Sequence, residues 1–226
     1  GLGGIIFNDA TGPISRTGVQ LSYAYRMPVF KDYKLSFGLA GSIYQYIFDN
    51  DKIILHDNLL DPAMPGGVEK TLVHDATFGT YFYNDRYYFG ISVPNLIQSK
   101  INLKTVEEDA NKMVRHYFIT SGYNYIINDD FAIEPSILLK ATASSPLQFD
   151  FNLRTIFRDY LWAGTSYRNK DALILMIGVD YNNYSFGYSF DKTLSDISTY
   201  ESGSHGIMIG YKFGKQKDSD RDGIPD

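Results

Sequence analysis

The chain has 226 residues, a formal net charge of −5 and no cysteine. Disulfides and thiolate metal sites are therefore excluded. The Lys and Arg are scattered rather than gathered in a basic patch, which argues against nucleic acid as a partner.

The length admits one sizeable β domain. Tyr and Phe, at 19 and 15 residues against one Trp, are the unusual part of the composition. Aromatic residues favour strands and form girdles at both water–lipid boundaries of membrane barrels. A mean hydropathy of −0.22 is compatible with such a barrel, whose strands hide apolar residues at every second position. The longest apolar run, Ala172–Val179, falls far short of the roughly 18–20 residues a membrane-crossing helix needs.

The chain opens inside a glycine-rich strand, Gly1–Phe7, and stops inside an acidic repeat. It is expected to be a piece cut at both ends, so a missing signal peptide carries no weight. Period-two alternation, rather than helical spacing, then recurs along it. About twelve strands are predicted, near 1–8, 15–26, 33–48, 74–83, 86–94, 113–126, 131–142, 147–157, 160–168, 172–181, 184–190 and 204–213. In 33–47 the odd positions carry Tyr33, Leu35, Phe37, Leu39 and Ile43, and the even ones Lys34, Ser36 and Ser42. In 131–141, Phe131, Ile133, Ile137 and Leu139 alternate with Glu134, Ser136 and Lys140. Phe149, Phe151 and Leu153 alternate with Gln148, Asp150, Asn152 and Arg154.

Short turns are expected at Asn84-Asp85, Asn128–Asp130, Arg158-Asp159 and Asn182-Asn183, because Asn and Asp tolerate left-handed backbone and bond their own main chain. Longer loops fall near 49–73, 95–112 and 191–203. Short and long largely alternate, as in outer-membrane barrels, with 169–171 short where a long loop is expected. By that parity the last strand ends at Phe213 on the periplasmic rim and residues 214–226 lie in the periplasm. A soluble β-sandwich also alternates and stays open as the competing fold.

Charges at Glu134, Lys140, Asp150, Arg154, Arg168, Asp180 and Lys212 fall opposite the apolar faces. They would line a pore, dock a partner or, as the favoured reading, neutralise one another in the lumen, since an unpaired buried charge is expensive. His56, His74, His116 and His205 lack metal-ligand spacing, and His205 is read as structural at the rim of the last strand. Strand glycines, among them Gly122 and Gly178, are read as permitting bends or close packing. No nucleophile elbow and no phosphate loop is present, so an enzyme is not expected. Asp218, Asp220 and Asp222 stand at alternate positions of a D-x-D-x-D-G pattern before Gly223, with Asp226 as a later ligand. Alternating carboxylates on a tight loop converge on a hard calcium ion, although the chain stops before the ligand set is complete.

Five strings in order resemble the PorP/SprF family of outer-membrane barrels, associated with type IX secretion in Bacteroidetes. They are Tyr87–Leu96, Phe131–Lys140, Leu161–Arg168 with Asp171-Ala-Leu, Phe186–Asp191 and Gly203–Phe213, and Asn8-Asp9 with Gly12 match the early hairpin. Gly206 replaces the family's usual acidic residue after Ser-His. The resemblance implies an antiparallel transmembrane β-barrel over 1–213, with N-terminal strands missing and about fourteen strands when complete. It also implies a non-enzymatic role in type IX secretion or in surface attachment of secreted adhesins used in gliding. The partners would be other secretion components, secreted surface proteins and membrane lipid. The tail, 214–226, resembles a thrombospondin type 3 repeat, which implies a periplasmic calcium linker leading to a peptidoglycan-binding region beyond Asp226. Two other classes remain: a passive porin or transporter, and a soluble calcium-dependent β-sandwich adhesin module.

Overall fold

The computed structural model describes residues 1–53, 67–103, 112–143, 145–195 and 203–213. The tail aspartates and His56 lie outside them. The described residues form thirteen antiparallel strands and one short 3-10 turn, Asn50–Lys52. The strands are β1 (Leu2–Thr11), β2 (Ile14–Phe30), β3 (Tyr33–Asp49), β4 (Val68–Tyr83), β5 (Tyr87–Val93), β6 (His116–Tyr123), β7 (Tyr125–Ile126), β8 (Phe131–Thr142), β9 (Ser145–Phe157), β10 (Leu161–Arg168), β11 (Ala172–Tyr181), β12 (Tyr184–Thr193) and β13 (Ser204–Tyr211). They follow chain order in one sheet, with β7 off the path and paired to β8.

Local chemistry explains that order. Two-residue connections only allow a strand to return antiparallel beside its predecessor. Arg158 and Asp159 both take positive φ, 49° and 60°, as a primed hairpin turn requires. The Asn84 side chain accepts from the N–H groups of Arg86 and Tyr87 at 3.0 and 2.6 Å. Asn128 repeats the device with Asp130 and Phe131 at 3.0 and 2.9 Å. Each carboxamide oxygen thus adds to the main-chain bonds of its turn, Asn84 N–H to the Tyr87 carbonyl and Asn128 N–H to the Phe131 carbonyl.

The strands group into two units. Gly1–Gly122 with Leu138–Gln148 form the first; Tyr123–Ile137 and the residues from Phe149 onward form the second.

In the first unit, β2, β3 and β4 make a tall ribbon of 17, 17 and 16 residues. Its register places Gly18 opposite Tyr44 and Tyr44 opposite Val73. Alternation then sorts the side chains. Ala40, Tyr44, Val73 and Asp75 are buried on one face, while Leu21, Leu39, Ile43 and Leu72 stand exposed on the other.

The second unit is sorted likewise. Asp150, Asn152 and Arg154 share a face of β9, with Phe151 and Leu153 exposed on its reverse. On β11 and β13 the exposed face carries Leu175, Ile177, Ile207 and Ile209, the last two at 80% and 73% exposure.

Among the described residues the buried apolar side chains are only Ala40, Tyr44, Val73 and Ala172. A sandwich would bury its apolar faces between two sheets, whereas here there is one sheet with its apolar face exposed. Lipid, not water, suits such a face. Aromatic pairs mark its ends next to the short turns: Tyr33–Phe82 in the first unit, and Phe131–Phe157 and Tyr184–Tyr211 in the second.

Every expected strand is present, with two differences. Strand β4 begins at Val68 rather than near 74, so the connection before it is shorter than 49–73. The stretch expected as one strand over 113–126 is divided at Asn124 into β6 and β7.

Candidate functional site

The polar face of the second unit carries paired charges. Glu134 on β8 and Arg154 on β9 meet at 2.5 Å. The Arg154 guanidinium also lies 5.9 Å from the Trp162 ring centroid, so one cation serves a carboxylate and a π-face.

Nearer the β10–β11 turn, Arg168 is surrounded by three carboxylates. Asp150, its directly paired residue on β9, is at 3.6 Å, Asp171 in the turn at 3.4 Å and Asp191 on β12 at 3.5 Å. The Asp150 side chain is 7% exposed, and Arg168 is a cation beside it. At the other end of β11, Asp180 accepts from the Ser185 hydroxyl.

The register brings these groups together. Asp150 pairs with Arg168 across β9–β10, and Ile174 with Asp191 across β11–β12, so residues distant in sequence share one face. Between the charges the face is smooth: Trp162 lies across Gly178, and Ser185, Gly187 and Ser189 follow on β12.

In the first unit the corresponding feature is a strap. Strand β5 pairs with β4 only over Phe78–Tyr83. Above it the chain leaves β5 and lies along the β4 edge. Leu96 N–H donates to the Ala76 carbonyl at 2.9 Å, and the Ser99 hydroxyl donates to the His74 carbonyl. Asp75 pins the strap: its Oδ1 accepts from Ile97 N–H at 3.0 Å and from Ala76 N–H at 2.6 Å. Asp75 is 5% exposed, and its Oδ2 has no hydrogen-bond partner among the described residues.

The returning segment closes the strap from the other side. Arg115 donates to the Leu96 carbonyl at 2.7 Å, Asn95 to the Val114 carbonyl at 2.9 Å, and Lys100 bridges Lys112. The expected loop 95–112 therefore begins and ends as a bonded pair of arms. Asp75 was not singled out from the sequence. It falls inside the strand expected over 74–83, where alternation puts it on the same face as Thr77 and Gly79 and opposite Phe78.

The expected charges divide clearly. Glu134, Asp150, Arg154, Arg168 and Asp180 have the partners above, and Lys212 is exposed just past β13 on the polar-face parity. Asp171 and Asp191, which were not among the expected charges, complete the Arg168 cluster.

The histidines are dispersed. His74 is exposed on the apolar-face parity of β4. Nδ1 of His116 lies 2.8 Å from the Val114 carbonyl. His205 meets the Tyr188 hydroxyl at 2.7 Å and packs on Phe190, a structural role at the end of the last strand. Among the described residues no group of three or more candidate ligands would hold a metal ion. The calcium residues Asp218, Asp220, Asp222 and Asp226 fall outside the described residues.

A single antiparallel sheet, apolar and aromatic on one face and polar with paired charges on the other, defines a strand-crossing membrane protein of the outer-membrane type. The chain belongs to the PorP/SprF family: the model for the type IX secretion system membrane protein PorP/SprF matches residues 1–211. No curated protein matches the chain. The fold is accordingly that of an antiparallel outer-membrane β-barrel protein of type IX secretion, and the family is one of secretion-system membrane proteins rather than enzymes.

Proposed function

We propose that the chain is a binding platform of type IX secretion that receives a secreted surface protein, an adhesin of the gliding type, at the end bearing its long connections. The observation that carries this reading is the asymmetry of those connections. Counted along the chain, every second one is short: 31–32, 84–86, 127–130, 158–160 and 182–183. The others are 12–13, 50–67, 94–115, 143–144, 169–171 and 194–203, so all three long connections fall in this second set although half of its members are short. Short periplasmic turns and long outside loops are the habit of outer-membrane barrels. On that parity the chain after β13 is periplasmic. Residues 214–226 then form the start of a calcium-binding linker, with Asp218, Asp220, Asp222 and Asp226 as ligands, leading to a peptidoglycan anchor.

Deleting the gene in its host tests the platform. Surface display of particular type IX substrates is expected to be lost while general outer-membrane composition is unchanged. Normal display in the deletion strain would sink the reading. The charged polar face supports a second reading, a passive pore. Steady single-channel conductance of the purified protein would favour it.

A further inference from the structure

We infer that the polar face of the first unit holds a binding cavity for an aromatic side chain, carried by an acidic segment of a periplasmic partner protein. The strand glycines point to it. Gly90 and Gly122 are each covered by a ring of this chain, with Tyr81 Cδ2 2.8 Å and Tyr88 Cε1 2.6 Å from where a Cβ would sit. Gly38 and Gly79 pair with each other across β3 and β4 on the same face, and no ring lies over them. A Cβ on Gly38 would meet nothing nearer than a backbone oxygen at 3.9 Å, and one on Gly79 nothing nearer than a backbone oxygen at 3.4 Å.

A cavity of about 300 Å³ opens over this pair. Ala24 and Ser92 continue its floor along the cross-strand row, and Tyr81 and Phe118 stand among its walls. That volume is at the small end for a ligand cavity, so it suits one ring-sized group rather than a larger molecule. A ring laid on Gly38 and Gly79 repeats what Tyr81 and Tyr88 do over Gly90 and Gly122, and Tyr81 gives it an aromatic neighbour. Residues 54–66 and 104–111 contain no Phe, Tyr or Trp, so neither segment of this unit supplies the ring. Along β4, Gly79 is also eleven residues from Val68, about 36 Å of extended chain.

Charge defines the segment that carries the ring. Between the cavity and the strand ends where every connection is short, the same face bears two exposed cations, Arg26 and Lys34. Arg26 stands opposite Ser36 and Lys34 opposite Tyr83, so the ladder sets neither against a carboxylate there. The turns beyond them are balanced, Lys31 by Asp32 and Asp85 by Arg86. An approach lined by two cations favours carboxylates beside the incoming ring. This approach opens at the periplasmic end on the parity argued above; the side of entry rests on that parity, whereas the cavity and its cations do not.

The chain has no cysteine, so Thr77→Cys, two residues from Gly79 on the same face, provides a single thiol for a benzophenone maleimide in outer membranes of the native host. Photocrosslinks are expected to a periplasmic protein, on a segment in which an aromatic residue adjoins an acidic one. Gly38→Val fills the cavity at a position with room for a Cβ and is expected to lower the yield about tenfold or more. Arg26→Glu with Lys34→Glu changes only exposed side chains and is expected to lower it by about as much, so the test survives if the valine variant fails to assemble. Crosslinks confined to this chain, to a second copy or to segments without an aromatic residue would overturn the inference. So would their absence, or a yield unchanged in both variants. A surface protein as the crosslinked partner would overturn the assigned side, and labelling of Asp85→Cys from outside intact cells would trace that failure to the parity of the connections.

Discussion

At Gly178 a methyl group would collide with the Trp162 ring and stand 2.7 Å from the Phe186 carbonyl oxygen. The indole lies across its cross-strand partner because that partner has no side chain. Gly122 serves Tyr88 in the same way, with the ring carbon Cε1 2.6 Å from where a Cβ would sit. Period-two alternation places these glycines within strands, but which aromatic covers each one depends on register. Gly178→Ala is expected to destabilise the protein by about 1–3 kcal/mol through overpacking, read as a lower urea midpoint in detergent. Arg168 poses the opposite case. Arg168→Ala removes the cation 3.6 Å from the buried Asp150 carboxylate and is expected to cost about 3 kcal/mol by the same measurement. Adding Asp150→Asn should recover much of the loss. Alternation alone put both residues on the polar face. Their pairing, and the arrival of Asp171 and Asp191, required the register of four strands.

Turns and strand ends show how far an element can be read from its own residues. The Asn84 and Asn128 turns follow from side chains that bond the next few amides, a local matter that sequence reveals. The start of β4 was less legible. Val68–Val73 carries Glu69 and Lys70, which read as loop, yet sixteen residues pair with β3 as one continuous ladder. Backbone pairing with a long neighbour outweighs the weak strand preference of two charged residues. The Asp75 pin belongs to this scale as well. Asp75→Ala removes the acceptor of two N–H groups, one of them from the strap. Charge-assisted bonds of this kind contribute about 1.5–3 kcal/mol each. Limited trypsin digestion at Lys100 is expected to accelerate roughly tenfold or more, without loss of the heat-modifiable folded form.

For the molecule as a whole, solvent decides the arrangement. An exposed apolar face with aromatic residues at strand ends is stable only where lipid replaces water. The acidic tail is proposed to be a periplasmic linker. Asp220→Ala with Asp222→Ala is expected to abolish calcium binding by the intact protein, measured by titration calorimetry, while leaving barrel assembly on heat-modifiable gels unchanged. Loss of assembly would show that the tail is not the separate linker proposed. The sequence by itself determined the strand class, the two-faced alternation, the short turns and the family, because each depends on neighbours within a few residues or on strings in order. Only the tertiary structure decided which charges meet, which aromatic lies over which glycine, and that a strap held by Asp75 covers part of β4. Those features depend on cross-strand register and on where one strand outlasts its neighbour, and both are set by residues far apart in the chain.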